Sequence, residues 1–328
     1  MDVNTSESSK TLDQIWHQVS KYVTEPEWAL YMPLIEEINT LKRELNVTIL
    51  AHNYQPVEIY HGVADFCGDS LQLAQFAAQK RLPRVIMAGV YFMAETVKII
   101  SPDTEVLIPS LDAGCSLAES ITANDVRVLR DRFPNAQVVS YVNTSAAVKA
   151  ESDFCCTSSN AVDVVNACTS DEVIFLPDSH LGTFVQAHTH KRLHLWRGQC
   201  DVHAVFDVDS LNALRWTHPD IHILVHPECQ QSVQKAADFV GSTSALANYI
   251  EANTPRRAAL ITECTMSANV AALSPTTEFI QPCSLCPHMR RISLRKILHS
   301  LKNSEHIVEV TDDIAVAAQR AINAMLSV

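Results

Sequence analysis

The sequence contains little glycine and no glycine-rich nucleotide-binding motif. Only 7 of its 328 residues are glycine, and since neither GxGxxG nor a P-loop occurs, no motif supports nucleotide binding. No uninterrupted apolar run reaches the length of a membrane span. Lysine and arginine form nothing longer than short doublets, and the formal net charge is -12. These absences argue against a nucleic-acid or membrane partner, so an anionic substrate would depend on local hydrogen-bond donors.

The N-terminal residues carry no recognisable export signal. Residues 1–16 lack an apolar stretch and are too acidic for a typical transit peptide. We therefore expect a mobile lead-in to a helix, and a cytoplasmic location. The chain has ten cysteines, which in that compartment favours reduced thiols or metal ligands over a disulfide framework.

Three cysteines recur at a nearly constant period. Cys115, Cys200 and Cys286 are 85 and 86 residues apart, and each follows an apolar, strand-like segment. An Asp-Phe pair recurs at gaps of 88 and 85 residues. Its aspartates are Asp65, Asp153 and Asp238. Coincidence of independent markers at one period predicts three copies of a single structural unit.

Each copy alternates strand-like segments with helical segments of about ten residues, which is typical of parallel βαβ units. We predict an α/β fold of three pseudo-threefold-related repeats, each a small parallel sheet with flanking helices, around a central cavity. The predicted segments are helices over 1–45, repeats over 46–124, 125–208 and 209–291, and C-terminal helices over 292–328 that pack on the body. Ligands of such sheets lie beyond the carboxyl ends of the strands.

Soft thiolates at three converging strand ends suit an iron-sulfur cluster or zinc. A cubane cluster on three thiolates leaves one iron open as a Lewis acid, and three-thiolate zinc with an open water is the alternative. In the CxxC formed by Cys283 and Cys286, either thiol is a candidate third ligand, or the pair is redox active; the period favours Cys286. The adjacent Cys155 and Cys156 are interpreted as packing residues. The remaining cysteines are expected to be thiols of the core or near the site: Cys67, Cys168, Cys229 and Cys264.

Two further triplicated patterns indicate binding and proton transfer. Three hydroxyl-bearing segments, 68–70, 157–159 and 241–243, are predicted at helix starts, where backbone N–H groups and the helix dipole favour anions; plain N-caps are the alternative. The first strand of each repeat ends in polar residues, His52-Asn53-Tyr54, Tyr141-Val142-Asn143 and His226-Pro227-Glu228. Side chains of these types beside a Lewis acid can move protons. The histidines without a triplicated counterpart are expected on the surface or in packing: His180, His188, His190, His194 and His203.

Ten ordered motifs between about residues 47 and 300 resemble the quinolinate synthase family. They are AHNYQ, ADFCGDSL, GVYFMAET, DAGCSLAES, YVNTSAAVKAESDFCCTSSNAV, FLPDSHLG, WRGQCDVH, VHPEC, GSTS and CPHM. The resemblance implies a triplicated α/β fold with one 4Fe-4S cluster held by three cysteines. It also implies condensation of iminosuccinate with dihydroxyacetone phosphate to quinolinate, with release of phosphate and water. A functional link to the enzyme that supplies iminosuccinate is a further expectation.

The resemblance also implies roles for residues at matching positions. The cluster ligands would be Cys115 in DAGCSL, Cys200 in GQCDVH and Cys286 in CPHM. The substrate-binding residues would be His52, Ser70, Tyr141, Asn143, Ser158, His226, Glu228 and Thr243. Tyr54 matches a tyrosine assigned to proton transfer, and His226 and Glu228 are the other catalytic candidates. Where the family often has glycine after the Thr-Glu of the third repeat, this chain has Cys264.

Three other functions fit the same pattern of cysteines. A hydro-lyase would use the open iron for simple dehydration without consuming a triose phosphate. An iron-sulfur sensor or carrier favours four-thiolate ligation, and binding of the cluster by both Cys283 and Cys286 would support it. A zinc-binding module would be recognised by metal analysis.

Overall fold

Two capped helices precede the first strand. In the computed structural model, which describes residues 10–328, these are α1 (Leu12–Val19) and α2 (Glu25–Glu44). Thr11 and Thr24 cap them, each reciprocally bonded to the residue three positions later, which satisfies backbone donors that a helix start leaves free. The predicted lead-in over residues 1–9 lies outside the described residues.

Each repeat builds one four-stranded sheet with helices between its strands. The first comprises β1 (Val47–His52), α3 (Val57–Tyr60), β2 (Phe66–Gly68), α4 (Ser70–Gln79), β3 (Arg84–Ala88), α5 (Tyr91–Ile100), β4 (Glu105–Leu107) and α6 (Ser116–Glu119). The second comprises α7 (Ala123–Arg132), β5 (Gln137–Tyr141), α8 (Ala146–Ala150), β6 (Phe154–Cys156), α9 (Ala161–Ala167), β7 (Glu172–Leu176), α10 (Ser179–Gln186) and β8 (Arg192–Leu195). The third comprises α11 (Val208–Thr217), β9 (Ile221–Val225), α12 (Gln231–Lys235), β10 (Phe239–Val240), α13 (Thr243–Asn253), β11 (Arg257–Ile261), α14 (Thr265–Val270) and β12 (Glu278–Phe279).

The three sheets share one topology. Their strand orders are β2-β1-β3-β4, β6-β5-β7-β8 and β10-β9-β11-β12, and every neighbouring pair is parallel. The central strands are apolar and almost entirely buried, as expected when helices cover both faces of a parallel sheet. The predicted α/β fold of three repeats is confirmed.

The triplicated aspartate makes the same contacts in each sheet. Backbone N–H groups of Ile49, Val138 and Ile223 donate to Asp65, Asp153 and Asp238 over 2.7–2.8 Å. Basic partners of the same three carboxylates are Lys42, Arg130 and Arg215, at 2.8, 3.0 and 3.0 Å. Each aspartate therefore ties the entry of a second strand to the first strand of its sheet, which explains the recurrence of this residue.

Two C-terminal helices pack against the first two repeats. Helix α15 (Leu294–Asn303) lies on α2, and α16 (Asp312–Leu326) lies on α5, α8 and β6. One hydrophobic core thus runs through the terminal helices, repeat one and part of repeat two, while repeat three has separate cores on its two faces. The segment boundaries at 46, 125, 209 and 292 stay predictions.

The helices differ widely in length, from four residues in α3 to 20 in α2. Within residues 10–328, none combines the length and the apolar composition needed to cross a membrane.

Candidate active site and metal centre

The three repeats surround one cavity, to which all of them contribute side chains. Its lining includes every site residue predicted from the sequence: His52, Tyr54, Ser70, Cys115, Tyr141, Asn143, Ser158, Cys200, His226, Glu228, Thr243 and Cys286. These residues end or follow the first, second and fourth strands of each sheet, where ligands of parallel sheets bind. The structure therefore brings all the predicted site residues together, whereas the role of each stays a prediction.

Cys115, Cys200 and Cys286, hereafter the cysteine set, contribute one free thiol from each repeat. Burial raises the pKa of Cys115 to about 12 and also raises the pKa of Cys200 and of Cys286. The charges of neighbouring cysteines add to this effect, Cys286 acting on Cys115 and Cys115 acting on Cys200. Three such thiols ionise together near neutral pH only beside a cation, and a metal centre satisfies that condition.

Cys283 is joined to Cys264 in a disulfide, and so the expectation of reduced thiols is wrong for this pair. Cys264 follows β11 and Cys283 lies beyond β12, and the pairing of these two strands brings the Cα atoms within 5.0 Å. Of the two CxxC thiols, Cys286 is the one that lines the cavity. Cys283 is therefore paired with Cys264, which was predicted to be a core or near-site thiol, and Cys286 is a free thiol.

Ser70, Ser158 and Thr243, hereafter the hydroxyl set, follow the second strands. Ser70 and Thr243 are the first residues of α4 and α13, as predicted. Ser158 is not at a helix start, because Asn160 precedes α9 and its side chain accepts the backbone N–H of Thr157 at 2.8 Å. The prediction of a helix start is therefore wrong for Ser158, which lies in the turn before α9, while anion binding by this segment stays a prediction.

A continuous chain of hydrogen bonds connects two tyrosines of the cavity. Tyr54 Oη lies 2.6 Å from Thr262 Oγ1, which lies 2.9 Å from His203 Nε2. His203 Nδ1 is 2.9 Å from Glu228 Oε2, and Glu228 Oε1 accepts a hydrogen bond from Tyr141 Oη at 2.6 Å. Because Glu228 accepts at both oxygens, Nδ1 of His203 carries a proton, and when the ring carries no other proton Nε2 is an acceptor. The hydroxyls of Tyr54 and Thr262 then donate in sequence towards His203.

Burial and charge keep the members of this chain in different protonation states. Burial, followed by the charge of Glu228, raises the pKa of Tyr54 and of Tyr141. Burial alone would also raise the pKa of Glu228, but the adjacent His203 outweighs it and lowers that pKa. Both phenols are therefore protonated donors and Glu228 is a carboxylate.

The remaining strand-end residues offer neutral polar groups. Burial lowers the pKa of His52 to about 4 and of His226 to about 3. His226 Nε2 lies 3.2 Å from Ser158 Oγ. Within residues 10–328, the buried Oδ1 of Asn143 has no hydrogen-bond partner and lines the cavity, so it is available to accept a hydrogen bond from a ligand. None of the described residues lining the cavity is lysine or arginine, so an anion would be bound by uncharged donors.

Two residues of this series of hydrogen bonds, His203 and Thr262, were not predicted from the sequence. His203 is not a surface or packing residue as expected, because it is 1% exposed and lines the cavity. No periodic signal marks it, since its position three residues after Cys200 has no counterpart in the other repeats. Thr262 had a usable signal, because it directly follows β11, at the carboxyl end of a central strand.

The donor atoms of the cavity fit a metal centre. One atom each from Cys200, His203 and Glu228 lies within 4.8 Å of the others, and the other two cysteines of the set line the same cavity. Thiolates are preferred by iron-sulfur clusters and zinc, while imidazole and carboxylate also accept zinc. The donor set is therefore compatible with a cluster on three cysteines.

Comparisons with known proteins identify similar sequences across nearly the whole chain. The family model described as NadA: Quinolinate synthetase A protein matches residues 36–327. Quinolinate synthase 1 of Mesorhizobium japonicum is 48% identical over 314 residues, covering 96% of this chain and 97% of the relative. The quinolinate synthase of Caulobacter vibrioides is 46% identical over 328 residues, covering 99% and 89%. That of Agrobacterium fabrum is 48% identical over 314 residues, covering 96% and 91%.

Proposed function

The chain belongs to the quinolinate synthetase A family, and we propose that it condenses iminosuccinate with dihydroxyacetone phosphate to form quinolinate in NAD biosynthesis. The reaction joins the two carbon skeletons, closes a pyridine ring through the imine nitrogen, and releases phosphate and water. The observation that carries this proposal is the convergence of the cysteine set and the hydrogen-bonded chain from Tyr54 to Tyr141 on one cavity.

The cysteine set would hold one 4Fe-4S cluster, with one thiolate from each repeat. When bound, such a cluster supplies an open iron that acts as a Lewis acid on a substrate oxygen. The position of one free thiol from each repeat on the wall of the same cavity supports this assignment.

Uncharged donors would bind the carboxylates of iminosuccinate. We assign substrate binding to His52, Ser70, Tyr141, Asn143, Ser158, His226, Glu228 and Thr243, among which Glu228 is an ionised acceptor and the others are uncharged. The unpaired Asn143 Oδ1 supports a donor on the bound molecule, such as the imine N–H. Glu228 accepts from both Tyr141 and His203, which neutralises part of its repulsion towards a dianionic substrate.

The hydrogen-bonded chain supports Tyr54 as the proton-transfer group, with Glu228 and His226 as the other catalytic candidates. A proton accepted at Tyr54 Oη displaces the phenolic proton to Thr262, and the proton of Thr262 to His203 Nε2. The resulting imidazolium is paired with the Glu228 carboxylate at 2.9 Å. Running the same transfers in reverse delivers a proton from Tyr54, so one chain serves both directions of proton transfer.

The test is an anaerobic assay of the purified, reconstituted protein with oxaloacetate, ammonia and dihydroxyacetone phosphate, with iron, sulfide and zinc measured in the same sample. We expect quinolinate to accumulate with equal consumption of triose phosphate. Dehydration without triose phosphate consumption would establish the hydro-lyase instead. Stoichiometric zinc without sulfide would establish a zinc protein.

Three further expectations accompany this function. We assign the segments 1–45, 46–124, 125–208, 209–291 and 292–328 to the N-terminal helices, the three repeats and the C-terminal helices. A cytoplasmic location and a functional link to the enzyme that supplies iminosuccinate stay predictions.

A further inference from the structure

Asp69 lies where the three repeats meet beside the hydroxyl set. It lines the cavity and is only 6% exposed. Its Oδ1 accepts the backbone N–H of Gln72 at 2.9 Å and so caps α4. Its Oδ2 accepts hydrogen bonds from Ser159 Oγ in repeat two, at 2.8 Å, and from Ser244 Oγ in repeat three, at 2.7 Å. One carboxylate oxygen of repeat one is thus bonded to both other repeats.

Each residue of this junction, defined as Asp69, Ser159 and Ser244, is adjacent in sequence to a member of the hydroxyl set. The adjacent pairs are Asp69 with Ser70, Ser158 with Ser159, and Thr243 with Ser244. Since neighbouring residues share a peptide unit, the two bonds to Asp69 Oδ2 restrict the relative positions of all three hydroxyls. A second cross-repeat bond, from Asn53 Nδ2 to Thr243 Oγ1 at 3.0 Å, fixes the third of them.

The hydrogen bonds of Asp69 also explain how a carboxylate can lie beside a site for an anion. Three donors lie against its two oxygens, although the single proton of Ser244 Oγ is shared with Gln72 Oε1 at 2.8 Å, and bonds to an ionised acceptor are stronger than those between neutral groups. Its negative charge is therefore compensated by the junction and the α4 start. Asp69 caps α4 with Oδ1 alone, so capping does not account for the two hydrogen bonds that Oδ2 accepts.

We infer that Asp69 is a positioning residue that holds Ser70, Ser158 and Thr243 in the arrangement required by a dicarboxylate. The inference rests on the proposed function and adds a residue to its binding site. Asp69 acts through its neighbours rather than by contact with reacting atoms. Its loss should therefore weaken substrate binding more than it slows the reaction once substrate is bound.

The test compares Ser244→Ala, Ser159→Ala and Asp69→Asn in the cluster-containing enzyme. KM for iminosuccinate and kcat are measured, together with the Kd of quinolinate by calorimetry. Asparagine keeps the α4 cap through its carbonyl oxygen but removes the charged acceptor. We expect KM and Kd to rise about tenfold for Ser244→Ala and for Asp69→Asn, with kcat changed less than about twofold. The exposed Ser159 should give a smaller rise, since water can replace its bond.

Thr11→Ala provides a matched control. It removes the hydroxyl that caps α1, and it should lower the melting temperature without changing KM or Kd. If the junction variants lose as much stability as Thr11→Ala but keep the KM and Kd of the wild type, Asp69 is only structural. That result would overturn the inference without affecting quinolinate synthesis by the wild type. Absence of quinolinate synthesis in the reconstituted wild type would instead refute the proposed function, and this inference with it.

Discussion

The cysteine set and the hydroxyl set are both triplicated and both line the cavity, yet their chemistry differs. The cysteines follow the fourth strands, and burial raises their pKa values, to about 12 for Cys115. The hydroxyls follow the second strands and are organised by neutral and charge-assisted hydrogen bonds that cross the repeats. One symmetric framework therefore presents a set of buried thiols, which suits a metal centre, and a set of hydroxyls beside hydrogen bonds that join the repeats.

This difference predicts that damage to the two sets can be distinguished experimentally. A variant of the cysteine set should lose the metal centre and all dependent chemistry. Loss of a hydroxyl should leave the metal centre intact and weaken binding. The chain from Tyr54 to Tyr141 lies between these cases, because it contacts the cysteine set through His203, whose Nδ1 is 3.2 Å from Cys200 Sγ.

The largest effect is expected for Cys115→Ser. Serine supplies a hard, weakly acidic oxygen in place of a soft thiolate, so the variant should lose most of its iron and sulfide and essentially all quinolinate synthesis. Iron and sulfide analysis with the visible absorption spectrum measures the loss. Cys168→Ser is the matched control, since Cys168 is buried outside the cavity lining with its Sγ 3.5 Å from Val164 O. A Cys115→Ser protein with a full cluster and normal activity would contradict the ligand assignment.

The next largest effect is expected for Tyr54→Phe and Glu228→Gln. Each breaks the hydrogen-bonded chain without removing a thiol, so turnover should fall about 100- to 10,000-fold while iron and sulfide stay normal. Single-turnover quinolinate formation measures the chemical step. Tyr249→Phe removes a hydroxyl 2.9 Å from His222 Nδ1 outside the cavity and should retain full turnover. Loss of the cluster in either cavity variant would show that the chain supports the metal centre instead.

Much of this comparison was predictable from the sequence because symmetry makes local patterns repeat. The constant spacing of Cys115, Cys200 and Cys286 placed one thiol in each repeat, and polar residues after buried strands marked the cavity wall. His203 was not predicted as a site residue because it has no symmetric counterpart in the other repeats. The bond between Cys264 and Cys283 was not predicted because strand pairing, and not sequence spacing, brings them together.

Contacts between repeats also could not be predicted from the sequence. Asp69 and Ser244 are 175 residues apart, and each belongs to a local motif that reads as an ordinary helix start. Ser158 was wrongly expected at such a start because Asn160, two residues later, accepts the N–H of Thr157. Local capping preferences thus predicted the helices, whereas the way three helix-start regions meet depends on the arrangement of the sheets.

A smaller effect is expected for Thr243→Val, which tests the hydroxyl set directly. Valine keeps the shape but loses the Oγ1 that accepts from Asn53, so KM for iminosuccinate should rise about tenfold with normal iron and sulfide. Steady-state kinetics with separate kcat and KM values provide the measurement. Thr183→Val, which removes a hydroxyl bonded to Ser179 O at 2.7 Å, should leave KM unchanged. A fall in cluster content for Thr243→Val would remove the distinction between the two sets.

The smallest effect is expected outside both sets, at the triplicated aspartates. Asp153→Asn loses the ion pair with Arg130 but keeps an acceptor for the N–H of Val138, whereas Asp153→Ala loses both. Because this carboxylate is about one-third exposed, the ion pair should contribute at most about 1 kcal/mol. The unpaired N–H in the alanine variant should cost about 1–3 kcal/mol. Urea unfolding measures both contributions to the free energy of unfolding. If the alanine variant is no less stable than the asparagine variant, water satisfies the N–H of Val138 and the carboxylate does not tie the strands together.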